Sequence, residues 1–142
     1  MNKVDEFVKN WDGKSAGRVG WCVELVKEAV PGIGSTTAWH AGTKISGFGK
    51  PPLKKGTVIA TFNKDGEYTN TPGESHVAIF LQYGRENGKA GISVFDQYTK
   101  GHGKGKPRTK ITAQRRFYPF TVGNAKPKYL AAETFSIVRK ER

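Results

Sequence analysis

Three side chains scattered along this 142-residue chain could together perform acyl transfer. Cys22 is the only cysteine and lies in the run Gly20-Trp21-Cys22-Val23-Glu24-Leu25-Val26, which reads as the first turn of an amphipathic helix entered from a glycine. A helix start carries partial positive charge and favours thiolate, the form that attacks carbonyl carbon. His76 opens the apolar run Val77-Ala78-Ile79-Phe80-Leu81, so the imidazole sits at the mouth of an expected strand, where a rigid sheet can hold a general base. Asp96 closes the next such run, Gly91-Ile92-Ser93-Val94-Phe95, and can orient the imidazole and stabilise its charged form. In the plainer alternatives, Cys22 is a small buried hydrophobe, His76 a hydrogen-bonded structural histidine and Asp96 a polar strand end. The helix-start position and the well-placed histidine favour a cysteine hydrolase. The backbone N–H of Cys22 is the natural first oxyanion donor.

Register decides whether Asp96 can serve. A two-residue Asn87-Gly88 turn pairs positions whose numbers sum to 175, which puts Phe95 and Gln97 on the histidine face and turns Asp96 away. One bulge shifts the parity and brings Asp96 to His76. Glycines at 84, 88 and 91 permit such an irregularity, so Asp96 is the first choice and Gln97 the reserve. Trp21, Trp39, Gln97 and Tyr98 are the expected substrate contacts. His40 and His102 read as surface residues.

The elements that must position these groups follow from periodicity. Val4, Phe7, Val8 and Trp11 at helical spacing predict a short helix over 3–11, and a second helix runs from about Trp21 to Val30 before Pro31-Gly32. Residues 31–56 read as a folded loop carrying Trp39. Strands are expected over 56–62, 76–83, 91–98, 111–120 and 134–139, with an Asp65-Gly66 hairpin turn after the first. The expected class is α+β, with N-terminal helices packed on an antiparallel sheet and residues 1–142 forming one domain.

The formal charge is +12, from 24 Lys and Arg against 12 Asp and Glu. Such a balance attracts polyanions without choosing among them. The run from Lys100 to Arg116 concentrates the charge with no acidic residue, and Phe117, Tyr118 and Phe120 beyond it could stack on bases, although they fit a sheet core better. Nucleic acid is therefore an unfavoured partner. One cysteine and three dispersed histidines lack metal-ligand spacing, so no metal is expected. Gly101-His-Gly-Lys-Gly-Lys lacks the spacing of a phosphate-binding loop. No apolar run approaches a membrane span, and residues 1–11 do not resemble a signal peptide. The expectation is a soluble chain made in the cytoplasm that another device must carry if it acts elsewhere.

The order of Gly20-Trp-Cys22-Val-Glu-Leu-Val, Trp39 with Gly42, Leu53-Lys-Lys-Gly56-Thr-Val-Ile-Ala-Thr-Phe, Ser75-His76-Val-Ala-Ile-Phe and Val94-Phe-Asp96-Gln97-Tyr resembles the CHAP branch of the papain-like NlpC/P60 superfamily. Small CHAP-like type VI secretion amidase effectors are the nearest in pattern. The resemblance implies a papain-like fold, hydrolysis of amide bonds in peptidoglycan stem peptides or cross-links, no cofactor, and a cognate immunity protein as partner. It implies action in the periplasm of a target cell as an antibacterial toxin. It matches Cys22 to the nucleophile, His76 to the base and Asp96 to the acidic third position. An Asn common in phage members is replaced by Tyr98. A cysteine protease or deamidase acting on proteins, and a basic nucleic-acid-binding module without catalysis, are the alternatives.

Overall fold

The computed structural model describes residues 3–14, 22–69, 75–97, 113–121 and 131–140, and of Cys22 and Glu24 the backbone alone. Two helices, α1 (Lys3–Trp11) and α2 (Cys22–Ala29), precede six strands: β1 (His40–Lys44), β2 (Val58–Thr61), β3 (Val77–Glu86), β4 (Lys89–Gln97), β5 (Ala113–Pro119) and β6 (Phe135–Arg139). The strands form one sheet in the order β1-β6-β2-β3-β4-β5, every neighbouring pair antiparallel. This is the expected α+β arrangement of helices on an antiparallel sheet, in keeping with a papain-like architecture. Among the described residues no helix is long and apolar enough to cross a membrane.

Alternation along the strands builds two apolar layers. Val58, Ala60, Val77, Ile79 and Phe95 face the helices and pack with Val8, Val23, Leu25, Val26 and Trp39. Phe7 of α1 meets Phe95 edge to face. The interleaved residues Ile59, Ala78, Phe80, Ile92 and Val94 form the other layer with Ile45, Tyr118, Ala132 and Phe135, and Leu53 and Phe120 pack against it. Both faces of the central strands are covered, which explains why β2 is buried along its length.

The β3–β4 hairpin turns at Asn87-Gly88, as its dipeptide predicts, with both residues at positive φ (52° and 78°). Near the turn the paired numbers sum to 175, as in Glu86↔Lys89 and Gln82↔Ser93; beyond Leu81 they sum to 174, as in Ile79↔Phe95. The change marks a bulge between Phe80 and Gln82. It supplies the parity shift that Asp96 needs to share a face with His76.

Two expectations need correction. Residues 40–44 are not loop: β1 is the sheet's outer strand, paired with β6. Its sequence His-Ala-Gly-Thr-Lys has little β propensity, and backbone pairing supplies what the side chains do not. Gly42 fits because a Cβ there would come within 2.9 Å of the Ile137 carbonyl oxygen. The Asp65-Gly66 turn does form, with Asn63 Oδ1 accepting from the N–H groups of Asp65 and Glu67. It does not close a hairpin; Glu67 bridges to His40 instead, and β2 finds its partners in β3 and β6. At the opposite rim, Gly13 donates to the Ala113 carbonyl and Ala113 donates to the Lys14 carbonyl, so the segment after α1 adds to the end of β5.

Gly91 sets how closely β5 approaches β4. A Cβ at this position would lie 2.7 Å from Pro119 Cα and closer still to the Tyr118 carbonyl oxygen, both backbone atoms with little room to shift. Gly91→Ala is expected to lower unfolding stability by about 1–3 kcal/mol, as overpacking does, in urea denaturation followed by circular dichroism. An unchanged midpoint would mean that the two strands separate freely there.

Candidate active site

The site is built where β3 begins and β4 ends. His76 immediately precedes β3, and its backbone is tied to Thr61: the Thr61 N–H donates to the His76 carbonyl at 2.9 Å, and the His76 N–H donates to Thr61 Oγ1 at 3.0 Å. These two bonds fix the strand mouth before the imidazole makes any contact.

The ring is buried, and its Nε2 lies 2.7 Å from Asp96 Oδ2. A carboxylate only accepts, so Nε2 carries the hydrogen and Nδ1 is the basic nitrogen of the neutral ring. The ring stands edge-on to both Tyr118 and Phe135, at 6.2 Å between centroids in each case. Packing on two sides and a hydrogen bond on the third leave the imidazole one orientation.

Asp96 is 0 % exposed. Burying a carboxylate is costly unless charge and hydrogen bonds replace the lost water. Three donors do so. Besides His76, the Tyr118 hydroxyl donates to Oδ2 at 2.6 Å and Arg116 Nε donates to Oδ1 at 2.7 Å. Arg116 supplies the countercharge and keeps a quarter of its side chain in water. The Tyr118 oxygen also stands 3.5 Å from His76 Nε2.

Of the expected site residues, the structure brings His76 and Asp96 together, and Asp96 rather than Gln97 holds the ring. Cys22 is the first residue of α2. Its side chain, with Trp21 and Tyr98, lies outside the described residues, as do His102 and the Lys100–Lys110 portion of the basic run. Helix α2 packs over Val77, Ile79 and Phe95, which neighbour His76 and Asp96 along their strands but face the opposite side of the sheet from the imidazole. Trp39 is corrected: it is 1 % exposed, its indole N–H donates to the Ile33 carbonyl, and its ring packs at a tilt against Tyr68, so it serves the core and presents no surface to a substrate. Gln97 is likewise buried, opposite Ala113 on the helix side. Among the described residues no cluster of His, Cys, Asp and Glu could hold a metal ion.

Arg116 and Tyr118 are the participants that sequence reasoning did not assign. Arg116 was counted with the basic run and Tyr118 with core aromatics. One signal was available: consecutive arginines on a strand face opposite sides, so one of Arg115 and Arg116 had to turn inward and find an acid.

Comparison with known proteins assigns the chain to a family. The family model for domesticated amidase effector 2 (Dae2) matches residues 4–117. A solved structure of type 6 secretion amidase effector 2 (Tae2) superposes with a TM-score of 0.66 at 30% sequence identity, over 95% of this chain and 92% of that one. No curated protein matches the sequence. The matched span contains Cys22, His76, Asp96 and Arg116, and the chain belongs to the Dae2/Tae2 family of CHAP-like amidase effectors.

Proposed function

We propose that this amidase effector hydrolyses amide bonds of peptidoglycan stem peptides or cross-links, with Cys22 as nucleophile, His76 as general base and acid, and Asp96 as the group that orients the imidazole. The observation that carries the reading is the buried His76–Asp96 pair in a chain of this family. Asp96 occupies Nε2, so the thiol proton must pass to Nδ1, which requires the sulfur to reach the ring around the mouth of β3, since the strand itself begins only at Val77. The sulfur attacks the amide carbon, and the oxyanion forms beside the start of α2, where the first backbone N–H groups have no partner within the helix. Collapse of the intermediate expels the amine, which takes its proton from the imidazolium. Water then attacks the thioester with His76 again as base, and the thiol is restored.

Family membership supports the rest of the reading. The chain acts as an antibacterial effector, delivered to the periplasm of a target cell and neutralised in its producer by a cognate immunity protein. The +12 charge suits an anionic wall.

Purified protein incubated with isolated sacculi is expected to release new muropeptides. Cys22→Ala should release none, and His76→Ala should be slower by about 10²–10⁴-fold. Sacculi left intact by folded protein would refute the amidase reading, and tight, salt-sensitive DNA binding in that case would favour the basic module.

Because Cys22 is the sole thiol, alkylation by iodoacetamide reports on it alone. The parent should react as thiolate well below the ordinary cysteine pKa of about 8.5, and His76→Ala should move the profile back toward that value. Superimposable pH profiles would show that the sulfur and the imidazole do not meet.

A further inference from the structure

The geometry points to Arg116 and Tyr118 as positioning residues that set the proton affinity of His76 through Asp96. This rests on the reading of His76 as the base. The observations behind it concern Asp96. Its carboxylate is closed off from bulk solvent, so its charge distribution is governed by the donors around it. Oδ1 is held by the Arg116 guanidinium, and Oδ2 is shared between His76 Nε2 and the Tyr118 hydroxyl.

A buried carboxylate alone with a histidine would stabilise imidazolium strongly. A base held in that state gains a proton readily and returns it to the leaving amine poorly. Arg116 opposes this in two ways. Its charge repels imidazolium, and its hydrogen bond draws electron density toward Oδ1, away from the oxygen that faces the ring. Tyr118 acts on Oδ2 itself by donating to the same oxygen at 2.6 Å. The pair therefore moderates Asp96 and keeps the imidazole able both to accept and to release a proton.

Register produces this arrangement. Asp96 pairs with Gln114 and Val94 with Arg116, so Arg116 reaches the carboxylate diagonally, and Tyr118, two residues further along, reaches it with the full length of its ring. Among the described residues, the titratable or charged groups around the imidazole are Asp96 on β4 and Arg116 and Tyr118 on β5; β2 brings Thr61 and β6 brings Phe135. Removing the guanidinium should thus raise the proton affinity of His76, whereas merely loosening the fold should not.

The test follows the imidazole by NMR titration of the full chain in a Cys22→Ala background, with the three histidine signals assigned by substitution of His76. Arg116→Gln is expected to move the His76 midpoint upward, Tyr118→Phe to move it upward by less, and Arg116→Lys, which keeps the charge and one donor, to restore most of the parent value. In protein with Cys22 intact, Arg116→Gln should lower kcat on sacculi by roughly up to 100-fold with KM little changed. A midpoint that stays or falls in folded Arg116→Gln overturns the inference. If that variant does not fold, an unmoved midpoint in Tyr118→Phe overturns it. The titration does not require amidase activity, so sacculi untouched by the parent protein would refute the proposed function without deciding this one, and an unmoved titration would refute this one while leaving the digest to stand.

Discussion

The carboxylate of Asp96 is closed off from bulk solvent, and much of the local structure is what makes that burial possible. Breaking a buried ion pair costs several kcal/mol because the remaining charge stays desolvated. The three donors to Asp96 come from the mouth of β3 and from two positions on β5. For all three to arrive, β3, β4 and β5 must hold fixed registers, β5 must approach closely enough for a phenol to span two residues, and His76 must be tied back to β2. The site and the sheet are therefore one construction, with its most demanding requirement at one residue.

The irregularity at Leu81 is the step between hairpin and site. An uninterrupted β3–β4 ladder would satisfy the Asn87-Gly88 turn and place Asp96 on the helix side, in the apolar surroundings that Phe95 now fills. An unpaired charge there would be strongly unfavourable. One extra residue in β3 reconciles a tight turn at one end of the hairpin with a polar contact at the other. Bulges commonly re-aim side chains beside functional positions, and here the polar pair at the far end of the strands supplies the physical reason to retain one.

The elements legible in the sequence were those with strong local signals. Alternation and β-branched density mark β2, β3, β4 and β6, helical spacing marks α1 and α2, and Asn87-Gly88 marks its turn. The pairing of His76 with Asp96 was legible only as a condition, because parity depends on a bulge that leaves no unique mark in the residues. Strand β1 was hidden, since His-Ala-Gly-Thr-Lys forms a strand only once β6 lies beside it. Trp39 was misplaced because an indole reads alike in a groove and in a core until its N–H finds a partner, here the Ile33 carbonyl. Arg116 and Tyr118 were obscured by their neighbours, one by a run of cations and the other by a run of aromatics.

The two rims of the sheet also bear on how copies of this chain meet. A free strand edge is a template that another strand can extend into a fibril. Here the β1 rim is short, interrupted in register and engaged by Glu67, while the β5 rim is covered at Ala113 by Gly13 and Lys14 and ends in Pro119, which has no N–H to offer. Exposed Gln114 and Arg115 add polarity and like charge along the same border. The described margins thus discourage runaway strand addition between molecules, which guards the chain against fibrils at high concentration.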